Sequence, residues 1–225
     1  MESPKILVGC PTSFHKEYCL KEYAGAVKKL TYKNHNLLLV DNSPDNNYLS
    51  KLKSAGLPAV KGPYFESARD RIVASRNILR KKVLEENYDF FLSLEQDVIQ
   101  PADIIENLLQ HKKEVISAVY FMPHINGLIP MLGIRGKEKY SYLQFDMVDK
   151  SNELMQVDYA GMGVILISKK VLEKINFRTD EKPGFDDWFF CKDVEKEGFK
   201  IFADLSIKCK HLLKNRPWSW KDIKL

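Results

Sequence analysis

Residues 89–101, with the sequence DFFLSLEQDVIQP, constrain the fold more than any other part of the chain. Phe90–Leu94 is an apolar run typical of a strand at the centre of a sheet that is covered on both faces. Glu95 and Asp97 follow it, and residues two apart in an extended chain point to the same side. At the end of a central strand, such a pair lies in the crevice where open α/β sheets bind ligands, and its oxygens suit a hard divalent cation. The alternative is a solvated strand end that caps the following helix.

Length and charge narrow the class of protein. The 225 residues suffice for one large α/β domain or two small ones. A formal net charge of +5 favours an anionic ligand or a membrane surface but gives no nucleic-acid signature. We see no signal peptide, and no apolar run approaches the roughly 20 residues of a membrane span. The four cysteines form no CxxC pair, which predicts reduced thiols in a cytosolic protein and argues against a zinc site.

Apolar runs alternate with helical patterns along the chain, which predicts an α/β fold. Strands are expected at residues 5–10, 36–40, 59–60, 90–94, 115–121, 164–167 and 199–203, with ribbon or loop strands at 129–134 and 142–148. Helices are expected at residues 14–30, 45–55, 67–87, 101–110, 169–175 and 184–198. Ser67 and Asp70 have the spacing of a capping box at the start of the longest of these helices.

Four further residues are candidates for contact with a nucleotide or a phosphate. Asp41 ends the second strand, where a carboxylate can accept hydrogen bonds from a base or a ribose; an Asp turn before a proline is the alternative. Arg76 lies close to the apolar stripe of the longest helix, where its guanidinium can orient a phosphate or pair with an acid. Gly161 and Gly163 allow either a close approach of the backbone to a ligand or a bulge. The chain contains no GxGxxG or Walker pattern.

Asp186 and Asp187 open the last predicted helix. Acidic residues at a helix N-terminus are favoured by the helix dipole, so plain capping explains them. The functional interpretation is a general base held on a rigid element. Aromatic side chains flank the pair, and one of them can stack on the face of a sugar; these are Phe185, Trp188, Phe189 and Phe190.

The C-terminal segment is basic and contains tryptophan. Lys208, Lys210 and His211 follow the last predicted strand. Basic and tryptophan side chains then continue to the end of the chain: Lys214, Arg216, Trp218, Trp220, Lys221 and Lys224. This mixture suits a phosphate lid or a peripheral contact with an anionic membrane, and a solvated tail is the alternative.

In their order, these segments resemble the GT-A glycosyltransferases, in particular the broad family-2-like inverting group. KILVGCPTS and LLLVDNS resemble that group's nucleotide-binding half, and SRNILRKKV resembles the segment with an Arg-Asn pair before the metal motif. FFLSLEQDVIQP resembles the strand with its DxD-type motif, and YAGMGVILISKKVLEKI is similar to the glycine loop and the strand after it. GFDDWFFCKDVEKEGFKIFADLSIKCKH resembles the acidic base motif, its helix and the final metal-binding histidine. The resemblance covers nearly the whole chain.

The resemblance implies one Rossmann-like GT-A domain with a mixed, mostly parallel central sheet flanked by helices. Residues 1–100 would form the nucleotide-binding half, and residues 101–225 the acceptor-binding half with its basic tail. The implied activity is that of a hexosyltransferase in glycan biosynthesis. It would move a sugar from a UDP- or GDP-linked donor to a glycan, protein or lipid-linked acceptor, with inversion and without nucleic acid. The absence of membrane spans favours a cytoplasmic protein, with peripheral membrane contact through the tail.

The resemblance also implies roles for particular residues. Mn²⁺ or Mg²⁺ would be held by Asp97, with Glu95 and His211, and by the diphosphate of the donor. Asp187 would be the catalytic base, with Asp186 as the other candidate. Contacts with the nucleotide sugar are implied for Pro11, Thr12, Asp41, Arg76, Glu95, Gln96, Gly161 and Lys210.

The chain also departs from the family pattern. Its metal motif reads Glu-Gln-Asp in place of Asp-x-Asp, so Glu95 is equally suited to a ribose or a water. The QxxRW motif of processive synthases is absent, which favours single addition. Two other interpretations stay open. A sugar nucleotidyltransferase would carry a glycine-rich basic loop where this chain has PTSFHKE, and a degenerate domain acting as a scaffold or sugar-binding module need not bring Asp97 and His211 together.

Overall fold

The computed structural model describes residues 3–124, 127–136, 140–180, 184–213 and 216–218. In chain order, the strands are β1 Ile6–Thr12, β2 His35–Asp41, β3 Ala59–Lys61, β4 Phe90–Leu94, β5 Val98–Ile99, β6 Val115–Val119, β7 Phe121–His124, β8 Gly127–Pro130, β9 Leu132–Arg135, β10 Tyr140–Tyr142, β11 Leu154–Val157, β12 Tyr159–Ala160, β13 Val164–Ser168, β14 Ile201–Lys208, β15 Lys210–Leu213 and β16 Arg216–Trp218. The α-helices are α1 Leu20–Val27, α2 Asn47–Ser54, α3 Ala68–Glu85, α4 Ile104–Leu109, α5 Phe145–Lys150, α6 Lys169–Lys174 and α7 Asp186–Lys196. A 3₁₀ helix, Phe14–Cys19, leads into α1.

An eight-stranded sheet forms the centre of the molecule, in the order β11-β14-β6-β13-β4-β1-β2-β3. Neighbours are parallel from β4 through β1 and β2 to β3, and β14 is parallel to β6. β13 runs antiparallel to β4 and β6, and β11 runs antiparallel to β14. The predicted fold, a mixed and mostly parallel sheet flanked by helices in one Rossmann-like domain, is confirmed.

Helices cover both faces of this sheet, and its central strands are buried almost throughout. Along β1, Leu7 packs into the same core as Leu79 of α3. Ile6, its neighbour in the strand, packs on the opposite face with Tyr23 of α1. This alternation is what the two-residue period of a strand requires when both faces are buried. The sheet is therefore a rigid platform for the loops at its edge.

Most predicted elements are present, and one is wrong. Ser67 caps α3 as predicted, with its Oγ accepting from the backbone N–H of Asp70 at 3.4 Å. The ribbon expected at residues 142–148 is instead largely the helix α5. The alternation of apolar residues there does not mark a buried face, since Val148 is buried while Met147 is 46% exposed. The expected helix at residues 14–30 begins as a 3₁₀ turn.

The order β3-β2-β1-β4 creates a crevice where the chain changes direction across the sheet. In open α/β sheets, ligands bind at the carboxyl ends of strands at such a switch point, which here lies between β1 and β4. β5 leaves the end of β4 and pairs with β15, which brings the C-terminal part of the chain to the same place. All four cysteines are buried and free. No helix within the described residues is long and apolar enough to cross a membrane.

Candidate active site

Three charged or polar side chains meet in the crevice between β1 and β4: Lys16, Asp97 and His211. We call them the cation cluster. Asp97 is buried and forms an ion pair with Lys16, which lies in the 3₁₀ helix after β1. Nε2 of His211 lies 3.3 Å from Oδ2 of Asp97 because β15 pairs with β5 one residue after Asp97. Burial acts to raise the pKa of Asp97, but His211 and Lys16 outweigh it and lower that pKa to about 2. Asp97 is therefore a permanent negative charge at neutral pH.

The histidine of the cation cluster has one ring nitrogen occupied. Nδ1 of His211 lies 2.5 Å from the carbonyl oxygen of Phe121. A carbonyl can only accept, so Nδ1 donates to it, and this contact fixes the ring with Nε2 facing Asp97. The two side chains are thereby held 3.3 Å apart with defined orientations.

The cation cluster could supply some, but not all, of the ligands of a metal ion. Oδ1 of Asp97 is buried and has no hydrogen-bond partner among the described residues. The same residues contain no group of three side chains able to hold a metal ion. Mg²⁺ and related ions are commonly bound through one or two protein ligands together with substrate phosphates. One carboxylate and one imidazole fit such an ion if a diphosphate supplies the remaining oxygens.

Glu95, the other predicted metal ligand, is paired with Arg76 and does not join Asp97. Arg76 is fully buried, and its Nη2 donates to Oε1 of Glu95 at 2.5 Å. Its Nη1 donates to Oγ of Ser93 at 2.6 Å, and its Nε forms an ion pair with Asp186. Burial acts to lower the pKa of Arg76, but the charges of Asp186 and Glu95 outweigh it and raise that pKa. This arginine network joins the start of α7 to the motif after β4.

Asp187 is placed very differently from Asp186 beside it. Its Oδ2 accepts from the hydroxyl of Tyr159 at 2.7 Å, and its Oδ1 accepts from the backbone N–H of Trp188 at 2.7 Å. Burial raises the pKa of Asp187 to about 6, and the charge of Asp186 acts in the same direction. Tyr159, Trp188 and Arg76 act in the opposite direction. An oriented carboxylate with such a pKa can accept a proton near neutral pH.

Asp187 lines a cavity of about 380 Å³, which we call the aromatic pocket. Aromatic side chains dominate its wall: Tyr142, Tyr159, Phe185 and Trp188. Phe185 is 53% exposed, so about half of its surface is open to solvent or a ligand. Aromatic rings beside one oriented carboxylate are the chemistry that binds the apolar face of a sugar and one of its hydroxyls.

Tyr120 joins the two parts of the site. Its ring lies 5.5 Å from that of His211, centroid to centroid, and its hydroxyl accepts from the backbone N–H of Gly163 at 3.1 Å. A side chain at Gly161 or Gly163 would collide with the ring of Tyr120. The glycines therefore make room for a buried tyrosine. This contact gives a structural reason for both glycines.

Three predicted residues are buried in the base of the crevice. Pro11 lies in β1 opposite Val40 of β2, and the hydroxyl of Thr12 donates to Oε1 of Gln96. Nε2 of Gln96 donates to the backbone carbonyl of Lys16 at 2.8 Å. Gln96 thus holds the loop that carries Lys16, and its amide is turned into the protein.

Two other predicted residues lie apart from the cation cluster. Oδ1 of Asp41 accepts from Ser43, and its Oδ2 pairs with Lys61 at 2.9 Å. Lys210 pairs with Glu22 at 3.7 Å. Successive strand residues point to opposite faces, so Lys210 cannot face the cluster when His211 does. Lys214, Trp220, Lys221 and Lys224 of the predicted basic tail lie outside the described residues, as do the side chains of Arg216 and Trp218.

Sequence reasoning missed Lys16, Tyr120 and Tyr159. Lys16 had a detectable signal, because it lies in the first loop after β1, beside the switch point. Tyr120 and Tyr159 had no such signal, because the hydroxyl of each forms a hydrogen bond with a residue distant in the chain. These partners are Gly163, 43 residues away, and Asp187, 28 residues away.

The central sheet and its helices form a GT-A-like fold, which comparisons with solved structures support. Among solved structures, A197 from STIV is similar over 98% of this chain and 92% of its own, with 18% identity and a TM-score of 0.57. TarS from S. aureus is similar over 88% of this chain and 35% of its own, with 15% identity and a TM-score of 0.58. A structure of TarS residues 1–349 gives a TM-score of 0.57 at 15% identity, over 88% of this chain and 57% of its own. This chain thus spans about a third of TarS. Identities this low show the fold alone. No family model matches the chain, and no curated protein matches its sequence.

Proposed function

We propose that the protein is a metal-dependent, inverting hexosyltransferase that uses a nucleotide-diphosphate sugar. The observation that carries this proposal is the meeting of Asp97 and His211, 114 residues apart in sequence, at 3.3 Å in the crevice between β1 and β4. Convergence of a carboxylate and an imidazole at a ligand-binding switch point is the arrangement that a scaffold has no need to keep. The GT-A-like fold, shared with the glycosyltransferase TarS, supports the same class of reaction.

The cation cluster would bind the diphosphate of the donor. Asp97 and His211 would hold Mn²⁺ or Mg²⁺ together with diphosphate oxygens. Such an ion supplies positive charge to the departing nucleotide, and two unit charges about 4 Å apart interact by roughly 4 kcal/mol at an effective dielectric of 20. Lys16 adds a second positive charge beside the same phosphates.

Asp187 would take the proton from the acceptor hydroxyl. Its pKa of about 6 keeps most of it deprotonated at neutral pH, and its two hydrogen bonds fix its orientation. Asp186 is the weaker candidate because its carboxylate is committed to the buried Arg76. A base separate from the diphosphate site suits inversion, in which the hydroxyl attacks from the side opposite the leaving group.

The aromatic pocket would hold a sugar ring against Asp187. Ring faces stack on the apolar face of a sugar, while the carboxylate selects a hydroxyl. The acceptor, whether glycan, protein or lipid-linked, and the choice between UDP and GDP remain predictions, as does a cytoplasmic location. The same pocket favours one second candidate, a non-enzymatic sugar-binding module, since it alone would suffice for that role.

The proposal is tested by hydrolysis of a panel of UDP- and GDP-sugars, with Mn²⁺ or with EDTA. Transferases commonly leak sugar to water, so no acceptor need be known. We expect Mn²⁺-dependent release from one donor, lost in Asp97→Ala and reduced in Asp187→Ala. The matched control is Asp204→Ala, because Asp204 is also buried and also pairs with a histidine, His111, at 2.7 Å. β14, which carries Asp204, is separated from β4 by β6 and β13.

Three outcomes would contradict the proposal. Release that persists in Asp97→Ala would exclude the role of the cation cluster. An equal loss in Asp204→Ala would show that the effect arises from folding. Sugar binding with neither release nor nucleotide binding would favour the sugar-binding module.

A further inference from the structure

A second groove lies on the face of the β5–β15 ribbon away from the cation cluster. It is formed by α1, β5, β15 and the turns beside them, and its volume is about 590 Å³. We call it the lysine groove because Lys21, Lys29 and Lys210 line it. One acid, Glu22, also lines it and pairs with Lys210 at 3.7 Å. Within the described residues, Lys21 and Lys29 have no ion-pair partner, so the groove is positively charged.

The floor of the lysine groove contains an unsatisfied buried amide. Gln100 lines the groove, is only 6% exposed, and has no hydrogen-bond partner for either Nε2 or Oε1 among the described residues. Buried amides almost always find partners, because a donor removed from water without one is unfavourable. An amide with two free donors and a free acceptor at a positively charged surface therefore points to a bound ligand.

The chemistry of the groove indicates what that ligand carries. Lysine ammonium groups bind phosphate as point charges, and the amide of Gln100 adds a directional donor. Beside these polar groups, the wall is apolar, at Ala26, Ile99 and Ala102. Gly25 adds open space, since a Cβ there would meet nothing within 4 Å. The groove thus offers charge for a phosphate and an apolar surface for the group attached to it.

We propose that the lysine groove is a phosphate-binding site, distinct from the cation cluster, that takes a phosphate attached to an apolar group. A membrane lipid headgroup and a soluble phosphate ester share this chemistry. The site shares its strands with the cation cluster, because Lys210 pairs with Ile99 and the next residue, His211, pairs with Val98. It does not depend on sugar transfer, so binding at the groove can be measured whether or not the protein is an enzyme.

The experiment uses the full chain and three probes. Inorganic phosphate is titrated by NMR, and flotation is measured with vesicles of phosphatidylcholine and phosphatidic acid or of phosphatidylcholine alone. The test variant is Lys21→Glu/Lys29→Glu, and its matched control is Lys33→Glu/Lys53→Glu, which makes the same charge change at exposed lysines outside the groove. A third variant, Gln100→Met, removes the amide while keeping a similar volume.

We expect Lys21→Glu/Lys29→Glu to weaken binding by about tenfold or more, and the control to change it little. Gln100→Met should weaken binding several-fold without lowering the unfolding temperature, because it removes an unsatisfied buried group. Binding of free phosphate indicates a soluble ester, and binding only to vesicles with phosphatidic acid indicates a headgroup. The proposal is overturned if no probe binds, if both double variants weaken binding equally, or if Gln100→Met leaves binding unchanged.

Discussion

Asp97 and Asp187 are two shielded carboxylates in one site whose pKa values move in opposite directions. Burial acts to raise both. At Asp97, the contacts with His211 and Lys16 outweigh burial and lower the pKa to about 2. At Asp187, burial prevails, the neighbouring charge of Asp186 adds to it, and the pKa rises to about 6. Both carboxylates are therefore removed from water, and the charges of their nearest neighbours decide whether the pKa rises or falls.

This difference separates two chemical roles. A carboxylate that stays ionised at every physiological pH can hold a cation, whereas one that titrates near neutral pH can carry a proton. Arg76 helps to keep the roles apart, because it pairs with Glu95 and Asp186, the other acid of each predicted motif. The predictions below test this division, starting with the largest effect.

Asp97→Asn should abolish the role of the cation cluster. It keeps the shape of the side chain but removes the charge, so we expect loss of Mn²⁺ binding and a fall of about 10³-fold in sugar release. Calorimetric titration with Mn²⁺ and the release assay measure the two effects. Asp204→Asn is the control and should leave both unchanged. Unaltered Mn²⁺ affinity in Asp97→Asn would remove Asp97 from the metal site.

Asp187→Asn should affect proton transfer alone. We expect transfer to fall by about 10²- to 10⁴-fold, the usual contribution of a general base, with Mn²⁺ affinity unchanged. The same titration and a transfer assay measure this split. If Mn²⁺ affinity fell together with transfer, the two carboxylates would not have separate roles.

Arg76→Met should destabilise the fold, because it leaves Asp186 and Glu95 without their counter-charge. Removing one partner of a buried ion pair lowers the free energy of unfolding by about 3–5 kcal/mol, which urea denaturation measures. Arg80→Met, one turn further along α3, is the control. Arg80 donates to the carbonyl oxygens of Leu172 and Ile175, so its loss should lower that free energy by only about 1 kcal/mol. If the two substitutions lowered the free energy of unfolding equally, the ion pairs of Arg76 would stabilise the fold no more than the hydrogen bonds of Arg80.

The pH dependence of transfer should report Asp187. The reactive form is the carboxylate, so the rate should rise with pH through about 6. The hydroxyl of Tyr159 donates to that carboxylate and stabilises its charged form, so Tyr159→Phe should raise the pKa and move the acid limb upward by about one unit. The pH–rate profiles of both proteins measure the shift. A limb that stayed in place, or moved downward, would contradict the assignment of Asp187 as the base.

The pH dependence of the free energy of unfolding should also report Asp187. The pKa of Asp187 is higher in the folded protein than its ordinary value of 3.8, so between about 4 and 6 the folded state binds more protons than the unfolded state. The contribution of Asp187 to the free energy of unfolding therefore falls as pH rises through this range. Urea denaturation across this pH range measures it, and Asp187→Asn should remove this part of the pH dependence. The same slope in Asp187→Asn would assign it to other groups.

Local patterns predicted the α/β fold and singled out Asp97 and Asp187 as candidates, and the resemblance to the GT-A glycosyltransferases added His211. Phe90–Leu94 is buried as its apolar run predicted, and Ser67 caps the longest helix. Asp97 follows the central strand β4 and His211 lies in β15, and the pairing of β15 with β5 brings them together.

What could not be predicted depends on pairing between distant short segments. β5 has two residues and β15 has four, too few for a recognisable alternation, so the sequence did not show that Lys210 and His211 face opposite ways. The packing of Tyr120 against Gly161 likewise joins segments far apart in the chain. At residues 142–148, alternating apolar residues indicated a ribbon or loop strand, but most of this segment lies in the helix α5.

Lys16→Met makes the smallest expected change and tests the cation cluster most finely. Lys16 is a third exposed, so solvent screens its attraction to Asp97, and removing it should tighten Mn²⁺ binding by roughly two- to fivefold because no ammonium competes for the carboxylate. The KM for the donor should rise at the same time, since a positive charge beside the diphosphate is lost. Lys51→Met is the control, because Lys51 forms an exposed ion pair with Glu17 near the same loop. Weaker Mn²⁺ binding in Lys16→Met would show that this lysine supports the metal site and does not compete with it.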